Sequence, residues 1–335
     1  MLSSQEHMIL DNHGREINYL RLAITDRCNL RCFYCMPQSG IQYINRSDLL
    51  SYEEMLRLVK VFAAEGISKV RITGGEPFVR KDVVPFLSKL TQVKGILEVN
   101  ITTNGTKTLP YLKQLEDMGI NSINLSLDSL NKERFFQITR RDVFDQVHET
   151  LFALMESTIK TKLNMVVMDG KNIEDIESFI ELTKHYDVAV RFIEEMPFNG
   201  TLGQGNQELW PMKKILGHIE SKFQVEKLID QKSSTSKNFK VKEYKGSFGI
   251  IPAFTRTICG DCNRIRLTPK GSLRTCLYGE GVINFRDMMR NGSTDKEIVS
   301  ALKVALNHRA KNGFEAEKRR DNNIPISESM ATIGG

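Results

Sequence analysis

The chain has 335 residues, 40% hydrophobic and 26% charged, enough for one large core with an extension or for two domains. That composition excludes a collagenous, coiled-coil or bulk-disordered chain, and no run approaches the roughly 18 apolar residues of a membrane span. Lys and Arg number 47 against 41 Asp and Glu, a net charge of +6, which reads as a solvated surface unless a basic cluster falls beside a motif.

Residues 1–20 hold no apolar core and no small-residue cleavage site, so no secretion signal is expected and the expected location is cytoplasmic. A strand over 17–24 opens the pattern, and a helix over 52–65 follows. Strands over 70–73, 99–102, 122–127, 162–167 and 189–193 then alternate with helices over 83–91, 110–118, 143–157 and 173–185. Alternation of this kind predicts parallel βαβ units with right-handed crossovers. Six units suit an α/β fold of the open, partial parallel-barrel type better than a closed eightfold barrel. Polar residues gather where strands end: Gly74-Gly75-Glu76-Pro77, Thr102-Thr103-Asn104, Ser126 with Asp128, and Glu194-Glu195-Met196. In parallel barrels that end carries the chemistry.

Past residue 198 the period weakens. Residues 199–206 read as a linker or exposed loop and 231–237 as a polar stretch. A strand over 248–254, a helix over 295–308 and an aperiodic tail over 319–335 complete the pattern. The expected organisation is a barrel core over 1–198 and an α+β extension over 199–335 that closes it.

All six cysteines fall in two triplets: Cys28, Cys32 and Cys35, then Cys259, Cys262 and Cys276. Without a secretion signal, metal or redox chemistry is favoured over a disulfide framework. The first triplet, C-x3-C-x2-C, follows a strand directly, and one loop of that spacing can wrap an iron–sulfide cube. Three thiolates leave a fourth iron open for a substrate or cosubstrate. Structural zinc is the alternative. It wants four ligands, and no histidine lies near either triplet in sequence, although a distant one could fold in. The second triplet, C-x2-C-x13-C, also leaves one position open. Beside it Arg264 and Arg266 lie two apart, so a strand would put both on one face, where they suit a phosphate chain. A solvated arginine pair is the plainer reading.

C-x3-C-x2-C with Tyr34 before its last cysteine, together with the Gly-Gly-Glu-Pro run, resembles the radical S-adenosylmethionine (SAM) superfamily. The segments 12–28, 70–77, 101–105, 123–128, 191–197 and 259–266, with the final Ile333-Gly334-Gly335, resemble the GTP 3′,8-cyclase family that begins molybdenum cofactor synthesis. Ala23 and Leu30 stand where that family often has Ser and Phe, and the loops 199–208 and 231–238 are less familiar.

The resemblance implies two 4Fe–4S clusters and SAM as cosubstrate. It implies that Cys28, Cys32 and Cys35 hold the SAM-binding cluster, and that Tyr34, Gly75, Ser126 and Met196 contact SAM. The glycines would let backbone approach that ligand, and a carbonyl or carboxylate of the run would accept from its ammonium. Cys259, Cys262 and Cys276 would hold an auxiliary cluster that receives guanine. Arg21, Arg71, Thr102, Lys162, Arg264 and Arg266 would contact GTP. Gly334 and Gly335 would reach into the site and, with Arg264 and Arg266, serve catalysis. A 5′-deoxyadenosyl radical would take hydrogen from C3′ of GTP, and C3′ would close on C8 of guanine. Implied partners are GTP, an electron donor such as flavodoxin or ferredoxin, a downstream cyclic pyranopterin monophosphate synthase and a second copy of the chain, with no nucleic acid and no membrane. The competing readings are another radical SAM enzyme with one auxiliary cluster, an iron–sulfur electron carrier and a zinc nucleic-acid module. A carrier would be shorter with four cysteines per cluster, and a zinc module leaves the strand-end pattern unexplained.

Overall fold

A computed structural model of the chain describes residues 8–36, 40–196, 208–320 and 330–333. The first half gives β1 (Tyr19–Ala23), α1 (Tyr52–Ala64), β2 (Lys69–Thr73), α2 (Val83–Thr91), β3 (Glu98–Thr103), α3 (Leu112–Asp117), β4 (Ser122–Ser126), α4 (Lys132–Thr139), α5 (Phe144–Glu156), β5 (Lys160–Val167), α6 (Asp175–His185) and β6 (Ala189–Glu194). The second half gives α7 (Met212–Glu220), β7 (Val225–Lys227), β8 (Lys237–Val241), β9 (Ser247–Ile251), β10 (Arg264–Leu267), β11 (Ser272–Arg274), β12 (Ile283–Asn284), α8 (Phe285–Arg290), α9 (Asp295–Asn307), α10 (Gly313–Lys318) and α11 (Met330–Ile333).

The strands of the first half alternate in character, and the alternation decides which face each residue takes. Leu20, Leu22, Val70, Ile72, Val99, Ile101, Ile123, Leu125, Leu163, Met165, Val190 and Phe192 are buried. They join one core with Phe62 of α1, Phe86 of α2, Leu151 of α5 and Phe179 of α6. Between them stand Arg21, Arg71, Asn100, Asn124, Lys162, Asn164 and Arg191. Successive strand side chains point to opposite faces, so helices cover the apolar face and the polar set looks the other way. Local signals start the helices where the sequence directs. Ser51 and Glu54 form a capping box on α1, and Thr294 and Glu297 form another on α9.

The described strands form one twelve-stranded sheet in the order β12-β11-β10-β1-β2-β3-β4-β5-β6-β9-β8-β7. From β10 through β1–β6 to β9 the pairing is parallel, and only the outer strands run antiparallel. The sheet stays open, an α/β parallel-barrel architecture as expected. Strands of the second half extend it at both edges: β10 pairs with β1 and β9 with β6. The domain boundary read at 198 and the loop 199–206 lie largely outside the described residues. No described helix is long and apolar enough to cross a membrane.

Several elements depart from the sequence reading, and β7, β8, β11, β12, α8 and α10 fall where it expects none. Helix α4 was not anticipated, nor was α7, which lies where the sequence had lost its period. The strand expected over 248–254 ends at Ile251, because Pro252 has no N–H to donate to a ladder. Within the expected tail, Met330–Ile333 is helical with Ala331 and Ile333 buried.

Phe192 is fully buried and sits edge-on to Phe248 of β9, with ring centroids 6.3 Å apart. Phe192→Ala is expected to cost about 3–5 kcal/mol of stability, read as a lowered denaturation midpoint. A midpoint equal to that of the parent chain would mean that the β6–β9 seam is not packed as described.

Candidate active site

Parallel strands are ordinarily buried on both faces and read as continuous aliphatic runs. Here the inner face is polar, and the register sets its side chains in rungs. Arg266, Arg21, Arg71 and Asn100 occupy one rung across β10, β1, β2 and β3. Thr102, Asn124 and Lys162 form the next across β3–β5, and Ser126, Asn164 and Arg191 the one above. All of them except Asn100 line a cavity of about 780 Å³.

Every described residue assigned to the site from sequence lines that cavity: the six cysteines, Tyr34, Gly75, Ser126, Met196, Arg21, Arg71, Thr102, Lys162, Arg264 and Arg266. Gly334 and Gly335 lie outside the described residues, while Met330 and Ala331 of α11 reach the cavity wall. The structure adds Tyr19, Lys69, Asn124, Asn164, Arg191, Arg256 and Tyr278, which sequence reasoning passed over. Five of these seven continue the period-two polar pattern of the strands, a signal that was present in the sequence.

The electrostatics are lopsided. Among the described lining residues, Arg21, Lys69, Arg71, Lys162, Arg191, Lys232, Arg256, Arg264 and Arg266 face only Asp128, Glu194 and Glu195. The carboxylates sit at or just beyond the strand ends, and two are already engaged. Asp128 accepts from the Tyr34 hydroxyl (2.7 Å) and the Val166 N–H (2.9 Å). Glu194 accepts from the N–H groups of Met212, Phe254 and Thr255.

The cations are consequently strained as charges. Burial, then Arg266, holds Arg21 well below the usual guanidinium range. Burial and Arg264 bring Arg266 down to about 10. Burial, with Arg191, Arg71 and Lys69 adding repulsion, brings Lys162 to about 8. Burial alone would push the Tyr19 hydroxyl up, yet Arg71, Arg21 and Arg264 draw it down to about 8, and Arg71 Nε donates to it at 2.7 Å. Thr102 Oγ1, Asn124 Oδ1 and Asn164 Oδ1 are buried without a hydrogen-bond partner among the described residues. Such groups are costly unless a ligand satisfies them.

The first cysteine loop leaves β1 and is stitched to α4: Arg31 N–H donates to Thr139 O (2.9 Å) and Phe33 N–H to Ile138 O (3.1 Å). The Gly-Gly-Glu-Pro run packs against the same loop. Gly75 N–H donates to Thr25 O (2.7 Å) and Glu76 N–H to Arg27 O (2.8 Å). A Cβ on Gly74 would meet the Thr25 carbonyl, and one on Gly75 the Arg27 carbonyl, inside contact distance. The glycines therefore admit the chain's own backbone on one side, while both line the cavity on the other. The Glu76 carboxylate is bound by donors of the chain itself. It is fully buried and accepts from Phe78 N–H (3.0 Å), Thr103 Oγ1 (2.8 Å) and Asn104 N–H (2.7 Å). Burial pushes it up to about 7.

The second triplet is bolted from both ends of the chain. Arg309 donates to the backbone carbonyls of Cys262, Arg264 and Thr275, and Arg15 to that of Cys259. Asp11 joins the two arginines. Arg266 sits in the cationic rung, whereas Arg264 donates to the Ser233 carbonyl, so the loop 228–236 is latched across the cavity wall.

The donor sets fit iron–sulfur clusters. Burial and then Glu76 push the Cys28 thiol up to about 12, and burial holds Cys32 well above the ordinary thiol range, so these sulfurs need a bound metal to persist as thiolates. Burial also acts on Cys262, but Arg264, Arg309 and Arg266 outweigh it and lower that thiol. Among the described residues no three His, Cys, Asp or Glu side chains close on a single ion. A cluster places its thiolates on separate irons.

Residues 22–183 match the family described as the radical SAM superfamily, and residues 188–315 the one described as Molybdenum Cofactor Synthesis C. A protein of Syntrophomonas wolfei named GTP 3′,8-cyclase is 40% identical over 98% of this chain and 100% of its own length. Molybdenum cofactor biosynthesis protein 1 of Dictyostelium discoideum is 36% identical over 97% of this chain, which spans 52% of that relative. The chain thus spans about half the length of such relatives and the whole length of the bacterial one. Among solved structures, Streptococcus suis SuiB bound to its precursor peptide SuiA superposes with a TM-score of 0.65, covering 93% of this chain and 69% of that one. At 13% identity that likeness is one of fold.

Gly75→Ala is expected to push the Gly-Gly-Glu-Pro run off the cysteine loop, and iron bound at the first triplet after anaerobic reconstitution should fall sharply. Gly217→Ala, in α7 with open space around it, should leave iron content unchanged. Equal iron in both variants would show that the backbone contact does not hold the loop.

Proposed function

The chain belongs to the GTP 3′,8-cyclase family of radical SAM proteins, and from that premise we propose that it converts GTP to the 3′,8-cyclised nucleotide that opens molybdenum cofactor synthesis. One observation carries the reading: a rung of closely spaced cations lies between two cysteine triplets on the wall of one cavity. A triphosphate is the complement of that rung, and its nucleoside would extend toward the cysteines.

In this proposal Cys28, Cys32 and Cys35 hold a 4Fe–4S cluster with SAM, and Cys259, Cys262 and Cys276 hold a second cluster. The bound cofactors supply the one-electron chemistry that joins C3′ of the ribose to C8 of guanine. The protein's residues do the rest. Arg21, Arg71, Lys162 and Arg266 offer the triphosphate charge-assisted hydrogen bonds from fixed positions. Thr102 Oγ1 is an unspent hydrogen-bonding group in the rung of Lys162. Gripping the phosphates fixes the ribose without further ordering at the moment of reaction. Tyr34, tied to Asp128, and Gly75, Ser126 and Met196 shape the SAM end; the Tyr278 hydroxyl lies 3.4 Å from Met196 Sδ. Helix α11 and the latched loop exclude water from two sides. The division of labour between 1–198 and 199–335, a contribution from Gly334 and Gly335, an electron donor such as flavodoxin or ferredoxin, a downstream synthase, self-association and a cytoplasmic location belong to the same proposal.

The test is anaerobic turnover with SAM, a reductant and each nucleoside triphosphate in turn. A cyclised product is expected from GTP alone. SAM cleavage with no cyclised nucleotide from any of them would sink the assignment. Arg266→Ala should weaken GTP binding on the order of tenfold or more, since a charge-assisted hydrogen bond contributes roughly 1.5–3 kcal/mol. Arg266→Lys should restore only part of it, because the planar fork is lost. Calorimetric titration into cluster-replete protein reads both.

Binding should also depend on pH. Lys162 in the free protein loses its proton at about 8, and a bound polyanion raises that value. Affinity is therefore flat below pH 8 and falls as pH rises through 8, with proton uptake on binding. Ionisation of Tyr19 near the same pH acts in the same direction. Lys162→Met should lower affinity at pH 7 and flatten most of this limb, and the double variant with Tyr19→Phe the remainder. An unchanged pH profile in the double variant would remove both groups from the nucleotide site.

A further inference from the structure

Arg309 follows α9, 47 residues from Cys262 in sequence, and its side chain is 2% exposed. All its donors are engaged. Nε donates to Thr275 O (3.0 Å). Nη1 donates to Asp11 Oδ2 (3.1 Å) and Cys262 O (2.9 Å). Nη2 donates to Arg264 O (2.9 Å) and to the Cys262 sulfur itself, at 3.1 Å. A guanidinium held this way cannot swing out, so the contact with sulfur is a fixed feature.

Its charge is not cancelled locally. Asp11, whose side chain is fully buried, is shared with Arg15, which donates to it at 2.7 Å. One carboxylate between two guanidiniums leaves a net positive charge beside the sulfur. The first triplet is dressed differently: the Cys28 sulfur has the neutral amide of Asn104 at 3.7 Å.

We propose that Arg309 is a positioning residue that sets the reduction potential of the cluster held by Cys259, Cys262 and Cys276, through a charged N–H donated to the Cys262 sulfur. The inference rests on the reading that this triplet holds a cluster. The physical reason is simple. Reduction adds negative charge that spreads onto the ligating sulfurs, and a fixed cation hydrogen-bonded to one of them stabilises the reduced form more than the oxidised one. Arg309 thus raises the potential, and its backbone bonds to both arms of the triplet keep the sulfur where the charge can act.

The experiment is an anaerobic redox titration of the reconstituted full chain, followed by electron paramagnetic resonance. A full-length variant with Cys28, Cys32 and Cys35 all changed to Ala assigns the second cluster's signal. Arg309→Gln, which keeps an N–H donor and loses the charge, is expected to move the second cluster's midpoint to more negative potential. It should leave the first cluster's midpoint in place. Arg309→Lys keeps the charge and should shift it less. An unchanged midpoint in cluster-replete Arg309→Gln overturns the proposal. So does loss of the second cluster from both variants with the first retained, because Arg309 is then only a bolt for the loop. Iron sufficient for one cluster in the unmodified chain is a separate result: it defeats the reading of the second triplet itself.

Discussion

Like charges packed into one lumen are the constraint on which the rest of this structure depends. Arg21, Arg71 and Arg266 occupy neighbouring positions on three paired strands, with Lys162 and Arg191 on the far side. Moving cations out of water is costly, and their mutual repulsion adds to the cost. The sheet can hold them because its other face is predominantly apolar, so the helices secure the backbone independently of what lines the lumen. The molecule is thus divided by the pleat of its strands: one face supplies cohesion, and the other gathers like charges at close quarters.

The first cysteine loop follows a second logic, in which backbone recognises backbone. Gly74 and Gly75 abut the carbonyls of Thr25 and Arg27, and the Glu76 carboxylate binds the start of the loop after β3. Three strand ends are drawn together by one four-residue run. The position of the cysteines is inherited from β1, β2 and β3 at once, so rigidity of the sheet becomes rigidity of the loop. The second triplet lacks such a run and uses buried arginines, with Asp11 as their common counter-ion.

Much of this was legible in sequence, for identifiable reasons. The βαβ order followed from the alternation of short β-rich runs with amphipathic stretches, and both triplets followed from cysteine spacing. Four features were not legible. Tyr19, Lys69, Asn124, Asn164 and Arg191 were passed over because each strand was read for its apolar residues, although the polar residues of the same strands carry the lumen. The contact of the Gly-Gly-Glu-Pro run with a loop about fifty residues away in sequence has no local signal. Arg309 has no local pattern, lying between His308 and Ala310, and only folding brings it to Cys262. Helix α7 follows a stretch of Gly, Thr and Gln that breaks periodicity, so its own apolar face at Ile215 and Ile219 went unrecognised.

The placement of β10 against β1, and of Asp11 against Arg309, has a consequence in time. On the ribosome β1 emerges first and its partner β10 near the end, so the nascent sheet carries a bare edge through most of synthesis. Such an edge is slow to satisfy and prone to pair wrongly. Asp11 likewise emerges with no arginine from the far end of the chain to neutralise it. Maturation therefore has a natural order. The first cysteine loop can take shape once β1, β2, β3 and α4 have met, whereas the second is secured only after α9 has delivered Arg309, when the lumen between them is already closing.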